Sequence, residues 1–314
     1  MLTYAALCLT PKIFPALTGM TRVEFDRLAE DFAAARERSR AASTHTKQGQ
    51  PRQRAVGGGP LATLDLPTRL LMTLLWLRVY PTYEVLGWLF GLEKSNAWEN
   101  VQDTLAILES LADFRFERPA SERAKLGTKQ AVFDAFPEVK VIIDGKEQPF
   151  QRPQGWDEQK PFYSGKKKRH TVKNQILCTP EGRIGGVSET VPGSTHDLTM
   201  MRGDGVLDRL AEGEGAMADK AYTGAQKDRP GVSLVVPTKA TRGHPLTEEQ
   251  VAANRKISGC RVVIEHVMAQ LNRFQVLKQV FRSAFMRHTR TIRVVAALVD
   301  RRIAAVPLKT LVTT

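Results

Sequence analysis

The chain has 314 residues, with 46 Lys and Arg against 33 Asp and Glu, for a formal net charge of +13. At ~100–200 residues per domain this length predicts about two domains, and 42% hydrophobic with 25% charged residues excludes wholesale disorder. The longest apolar run, Leu70 to Leu77, is far short of the ~18 residues a membrane span needs.

Cys8, Cys178 and Cys260 are too few and too scattered for a disulfide framework or a cysteine zinc site. Met1 to Pro11 carries no basic n-region and no small-residue cleavage site, so the chain is expected to be cytoplasmic. The charge is unevenly placed: residues 1–140 carry +2 and residues 141–314 carry +11. A basic excess in one half is the footprint of nucleic-acid binding, or else a solvated basic surface; charge alone leaves both open.

In chain order, Thr21 to Arg36 has Val23, Phe25, Leu28, Phe32 and Ala35 at three- and four-residue steps, which predicts an amphipathic helix. Arg38 to Pro60 is polar and ends in Gly57-Gly58-Gly59-Pro60, a loop or flexible arm. A helix follows over Pro67 to Val79, interrupted at Pro81. Tyr83 to Phe90 reads as a short helix closed by Gly91, and a second helix starts near Ser95. That is a helix-turn-helix layout over about 82–108. If the second helix entered a major groove, Ser95, Asn96, Trp98, Glu99 and Asn100 would lead it. A plain helical hairpin is the alternative.

The periodicity changes at Val139. Val139 to Ile143 predicts a buried strand ending in Asp144-Gly145. A basic cluster, Lys166-Lys167-Lys168-Arg169, precedes a hairpin of Thr171 to Cys178 and Arg183 to Val191. Ser194 to Asp197 has the spacing of a capping box, with Ser194 capping and Asp197 back-bonding. Ala216 to Ala218 and Val232 to Val236 are further strands. Thr247 with Gln250 caps a helix, Arg261 to Phe274 is amphipathic, and a last helix spans about Arg290 to Val306. This half is predicted to be an α/β sheet with packed helices.

Three carboxylates stand apart. Asp144 and Asp219 each close a short apolar strand, and ligand groups collect at the carboxyl edge of open α/β sheets. Glu265 lies in Arg261-Val262-Val263-Ile264-Glu265-His266, among apolar residues where a charge is expected to be paired or metal-bound. Three such carboxylates without cysteine ligands suit Mg²⁺ or Mn²⁺, as two ions about 3.5–4 Å apart. The bland readings are a turn aspartate and an i,i+4 surface pair between Arg261 and Glu265.

The chain resembles a DDE transposase of the bacterial insertion-sequence type, in the IS5-like and Harbinger-like group. The resemblance rests on Ile142-Ile143-Asp144-Gly145, Gln151-Arg152-Pro153, the run from Phe162 to Asn174, Val191 to Asp197, Ala218 to Tyr222 and Arg261 to His266. Leu89-Phe90-Gly91-Leu92 adds a match in the N-terminal region.

It implies a ribonuclease H-like mixed sheet with flanking helices over 131–314, preceded by an all-α region, 1–130, with the helix-turn-helix. It also implies a metal-binding catalytic triad of Asp144, Asp219 and Glu265. In such a family, activated water cuts the phosphodiester at the transposon end, and the released 3′-hydroxyl attacks target DNA. The partner would be double-stranded DNA, at terminal inverted repeats and a target site. The protein would be nucleoid-associated, at least dimeric when two ends are paired. Lys166, Lys167, Lys168 and Arg169 would hold phosphates, the alternative being a solvated turn, with Ser95, Asn96 and Asn100 reading DNA. Arg261 would touch DNA or hold the glutamate. His196-Asp197 also matches the group.

Two positions depart from the pattern: Ala221 where a Gly is usual, which would cost about 1 kcal/mol if φ were positive, and Asn272 where a Lys is common. A DNA-binding protein without catalysis and a stand-alone nuclease are the competing readings.

Overall fold

The structure is a computed structural model that describes residues 1–42, 63–114 and 134–306. Most of the Gly-rich arm expected over 38–60, and the expected domain boundary at 130, lie outside the described residues. The chain divides into two compact units. One comprises Met1–Asp113 with Arg273–Val276 and Arg293–Val295, and the other the remainder. No helix among the described residues is long and apolar enough to cross a membrane.

The first unit is helical: α1 (Tyr4–Cys8), α2 (Phe14–Thr18), α3 (Arg22–Ala42), α4 (Leu66–Val79), α5 (Tyr83–Phe90) and α6 (Lys94–Ser110). Its centre is α4, which is apolar on nearly every side and buries Leu70, Leu71, Met72, Leu74, Trp76 and Leu77. A helix apolar all round needs partners all round. Phe25, Leu28 and Phe32 of α3 and Val101, Leu105 and Leu108 of α6 are buried with it.

The α5–α6 turn is set by glycine. Gly91 adopts φ +67, its N–H bonds Trp88 O, and Leu92 N–H reaches Gly87 O at 2.8 Å, the Schellman pattern that ends a helix. A Cβ on Gly87 would stand 2.4 Å from Leu92 O, so no other residue fits the close approach. Lys94 then bonds Glu84 at 2.5 Å across the pair.

The second unit is built on a mixed sheet. Its strands are β1 (Val139–Pro149), β2 (Tyr163–Ser164), β3 (Arg169–Cys178), β4 (Ile184–Val187), β5 (Val191–Pro192), β6 (Gly215–Met217) and β7 (Ser233–Val235). The order is β2-β3-β1-β6-β7, with β4 and β5 also on β3. β3 runs antiparallel to β1, whereas β6 and β7 run parallel. The helices are α7 (Trp156–Gln159), α8 (Asp197–Asp204), α9 (Glu248–Leu271) and α10 (His288–Ala305). Thr247 and Gln250 form the expected capping box at the start of α9.

Strand alternation sorts the two faces. Val141, Ile143 and Leu177 pack with Met201, Leu207 and Tyr222 on the side of α8. The other face carries Ile142, Asp144, Lys146 and Gln148, and α9 packs on β1 and β3. That face is partly polar and must be satisfied internally.

His288 does much of this. Gln148 Nε2 donates to Gln279 O, which leaves Gln148 Oε1 facing His288 Nε2 at 2.9 Å. An amide oxygen can only accept, so Nε2 carries the proton and Nδ1 accepts from the Thr190 hydroxyl, also at 2.9 Å. Burial, helped by the nearby Lys146 ammonium, pushes the imidazole down to about 3.

A second tie joins the β3–β4 turn to α10. Arg183 Nε and Nη2 donate to the two oxygens of Asp300 at 2.8 and 2.6 Å, and the Ile184 N–H adds a third bond at 2.8 Å.

Two outcomes follow. Removing Asp300, the buried partner of a bidentate pair whose arginine is half-buried, also strands the Ile184 N–H, so Asp300→Ala should cost about 2 kcal/mol in urea unfolding. His288 is neutral in the fold and titrates near 6.5 when unfolded. Its stabilising effect is therefore complete above pH 6.5 and is lost as pH falls toward 3. Urea melts at pH 7.5 and 5 should show about 2 kcal/mol of this loss, and His288→Gln should remove that part of the slope.

Candidate active site

The site is organised by one register. β1 and β6 pair in parallel, with Ile142 opposite Met217. Two residues on, this alignment brings Asp144 and Asp219 side by side just beyond the end of β6. Asp144 is not a strand end, contrary to the expectation from sequence. β1 continues to Pro149 because its antiparallel partner β3 continues beside it, with Asp144 opposite Ile176 and Pro149 opposite Thr171. Only the parallel neighbour stops, and that opens the edge.

Both carboxylates are oriented by the chain that follows them. Gly145 N–H donates to Asp144 Oδ1 at 2.9 Å, and Lys220 N–H to Asp219 Oδ1 at 2.5 Å. Asp219 leads a 3-10 turn, Lys220–Tyr222, whose last residue is buried. The Tyr222 hydroxyl accepts from Gln175 Nε2 at 3.1 Å, and burial pushes its pKa up, with three nearby aspartates adding to the shift. Ala221 lies in this turn without positive φ. The strain that its departure from glycine would carry does not arise.

Arg261 of α9 faces the pair. Its Nη2 lies 3.5 Å from Asp144 Oδ1 and its Nη1 4.0 Å from Asp219 Oδ1, with the arginine side chain only 14% exposed. Burial raises the Asp144 pKa, Arg261 and the Gly145 N–H lower it, and Asp219 and Asp197 raise it further. Partly desolvated neighbouring carboxylates repel, and a shared guanidinium offsets that repulsion.

Glu265 is not where the sequence argument put it. Ile257, Cys260, Val263, Ile264, Val267 and Leu271 form the buried face of α9, while Glu265 is exposed. The apolar neighbours that suggested burial turn to the core, because successive helical residues diverge by about 100°. Arg261, one turn earlier, makes its ion pairs with the two aspartates. Among the described residues no group of three or more His, Cys, Asp and Glu side chains is arranged to hold a metal ion.

Asp197 corrects a second expectation. The residue at the N-cap of α8 is His196, and no side chain caps this helix. Asp197 instead accepts from Lys173 Nζ at 3.3 Å, and the same ammonium reaches Thr195 O at 3.0 Å. A Cβ on Gly145 would lie 3.6 Å from Asp197 Oδ1, so Asp197 borders the Asp144 edge from the other face. Lys173, Gln175, Asp197 and Tyr222 form a polar girdle, of which the sequence had marked Asp197 only as a capping residue and a family match. Its trace in the sequence is the two-residue spacing of Lys173 and Gln175 on a mostly buried strand.

The remaining expected residues are dispersed. Lys166, Lys167, Lys168 and Arg169 are exposed at the β2–β3 turn, where Lys168 takes φ +53 and bonds Ser164 O. Seven residues of β3 separate Arg169 from Ile176, on the order of 24 Å, so this cluster does not adjoin the aspartates. Ser95 and Asn96 are exposed on the first turn of α6, whereas Asn100 Nδ2 is turned back onto Asn96 O at 2.8 Å. Asn272 caps the end of α9 and accepts from Lys146 Nζ at 2.6 Å.

The sheet with its acidic edge is the part of the chain that comparison recognises. Residues 143–300, about half of the chain, match the family described as DDE superfamily endonuclease, and the chain belongs to that family. Membership makes it an enzyme of the endonuclease class. Over 305 residues the chain is 26% identical to a probable transposase for insertion sequence element IS702 of Microchaete diplosiphon. That alignment covers 94% of this chain and 96% of the relative.

Arg261→Gln would leave the two aspartates facing each other with only their backbone N–H partners. We expect a loss of about 1–2 kcal/mol in urea unfolding at pH 7.5, shrinking as pH falls and the Asp144 carboxyl, whose pKa burial raises, takes up a proton.

Proposed function

We propose that this chain is the transposase of an insertion sequence, which cuts DNA phosphodiesters at the element's ends and joins the ends to target DNA. The observation that carries the reading is the juxtaposed Asp144 and Asp219 at the opened sheet edge, in a family of DDE endonucleases. The likeness to a probable insertion-sequence transposase along nearly its whole length supports the same reading. Asp144, Asp219 and Glu265 are the proposed catalytic residues.

The chemistry of the Asp144 and Asp219 donors, carboxylate oxygen alone, suits a hard divalent cation, and Arg261 rests at 3.5 and 4.0 Å, looser than the 2.7–2.9 Å of a docked charge-assisted bond. Mg²⁺ or Mn²⁺ would be held by Asp144 and Asp219, with Glu265 as the third donor. Two such ions supply activation of the attacking oxygen and stabilisation of the leaving one.

The chain's own contribution is positional. The Gly145 and Lys220 N–H groups aim the carboxylates, Tyr222 and Gln175 hold the Asp219 turn, and the Arg261 guanidinium counters the negative charge of both aspartates. The basic half, at +11, holds the polyanion around this acidic centre.

The sheet order β3-β1-β6-β7, antiparallel on one side of β1 and parallel on the other, supports a ribonuclease H-like domain over 131–314. The Gly91-closed pair α5 and α6 supports a DNA-reading helix-turn-helix within 1–130, led by Ser95 and Asn96. Lys166, Lys167, Lys168, Arg169 and Asn100 are proposed to hold DNA. Pairing of two ends calls for at least a dimer.

The test is cleavage and strand transfer on duplexes carrying the element's own terminal repeats, with Mg²⁺. Asp144→Asn, Asp219→Asn and Glu265→Gln should each lower both activities by more than 100-fold while repeat binding persists. Cleavage without joining would identify a stand-alone nuclease. Repeat binding without Mg²⁺-dependent cleavage by the parent protein would identify a DNA-binding protein. Full activity in all three variants would refute the site.

A further inference from the structure

Away from the aspartates, the second unit contains a cavity of about 430 Å³ lined by Arg152, Trp156, Gln159, Lys160, Tyr163 and His170. This volume lies within the ~300–1,000 Å³ of small-ligand sites. Its walls combine planar rings with cations. Trp156 is 73% exposed and Tyr163 46%, a large aromatic area left in water. Tyr163 and His170 are opposite each other in the β2–β3 pair, with their rings edge to face at 5.7 Å. Arg152 is steadied by Gln159, whose Oε1 accepts from its Nε at 2.9 Å. The acids of α7, Asp157 and Glu158, do not line the cavity.

The cavity is continuous in chain with the basic turn. Arg169 precedes His170, and Ser164 follows Tyr163 in the same short hairpin. The turn beyond them carries the exposed Lys166, Lys167 and Lys168. A strand whose phosphates rest on these cations would have a base within one or two residues of the ring platform, about 3–7 Å along the hairpin. Aromatic faces beside a cationic track are the chemistry that binds unstacked bases, because every base presents a π-face.

We propose that this cavity takes one nucleobase of the bound DNA, unstacked from its neighbours onto Trp156, with Tyr163 and His170 as the facing wall and Arg152 and Lys160 at its phosphates. The proposal rests on DNA being the substrate. It assigns a base-holding site on the order of 20 Å along β3 from the Asp144 position, distinct from the acidic edge.

Binding of the full chain in EDTA isolates this site from cleavage. The probes are three fluorescein-labelled 20-nucleotide DNAs: a mixed-sequence single strand, its duplex, and a strand with an abasic central tract. Trp156→Ala should weaken the single strand about tenfold, and leave the duplex and the abasic strand within about twofold. The salt dependence should stay unchanged and Trp156→Phe should restore binding. The paired change Lys167→Ala with Lys168→Ala should instead weaken all three DNAs and lower the salt slope. Trp156 is exposed, so an unchanged melting temperature is expected and certifies the fold. If the parent binds all three DNAs and Trp156→Ala and Tyr163→Ala leave the single strand unaffected, the base site is refuted and the DNA reading stands. Equal losses on the abasic strand also refute the base site. If the parent binds none of the three, both readings fall.

Discussion

Two aspartates held side by side at the edge of a β-sheet repel each other, and most of the second unit is arranged around that repulsion. The parallel pairing of β1 with β6 aligns them, and β6 ends early enough to expose them. Backbone N–H groups from Gly145 and Lys220 and the guanidinium of Arg261 counter the negative charge. Burial still raises the Asp144 pKa despite these partners. In the proposed function, a divalent cation bound at this edge would relieve that repulsion.

Keeping that geometry requires the surrounding polar groups to be satisfied within the protein. On the α8 side, Lys173 holds Asp197 and Thr195 O, and Gln175 holds Tyr222. On the α9 side, Lys146 reaches Asn272, and Gln148, His288, Thr190 and Asn174 form a chain of hydrogen bonds. Burial pushes Lys146 down to about 8. A mostly apolar sheet could slip in register, whereas these partners meet in one alignment only. The close passage of Gly193 over Thr171, where a Cβ would stand 1.9 Å from the hydroxyl, fixes the neighbouring β5 segment in the same way.

Much of the architecture is legible because local patterns are strong where packing agrees with them. The β-branched run at Val139, the capping box at Thr247 and the Gly91 helix end all read correctly, since each depends on residues a few positions apart. The expected burial of Glu265 did not, because on a helix its apolar neighbours turn to the core about 100° away and leave it exposed. Asp197 did not, because capping and an ion pair to Lys173 use the same carboxylate, and local spacing cannot see Lys173 across the sheet. Ala221 looked costly until its φ was known.

The amino-acid sequence by itself determined the basic balance of the C-terminal half, the order of strands and helices, and which carboxylates stand next to apolar runs. Those properties follow from composition and from periods of 2 and 3.6 residues. The tertiary structure alone decided that Asp144 and Asp219 are neighbours and that Arg261 serves them both. It also set the lysine turn at the far end of β3 from them. Each of these depends on sheet register and on which helix covers which face. Both are set by contacts such as Asp144 with Ile176, 32 positions apart, and Ile142 with Met217, 75 apart, and no local pattern contains them.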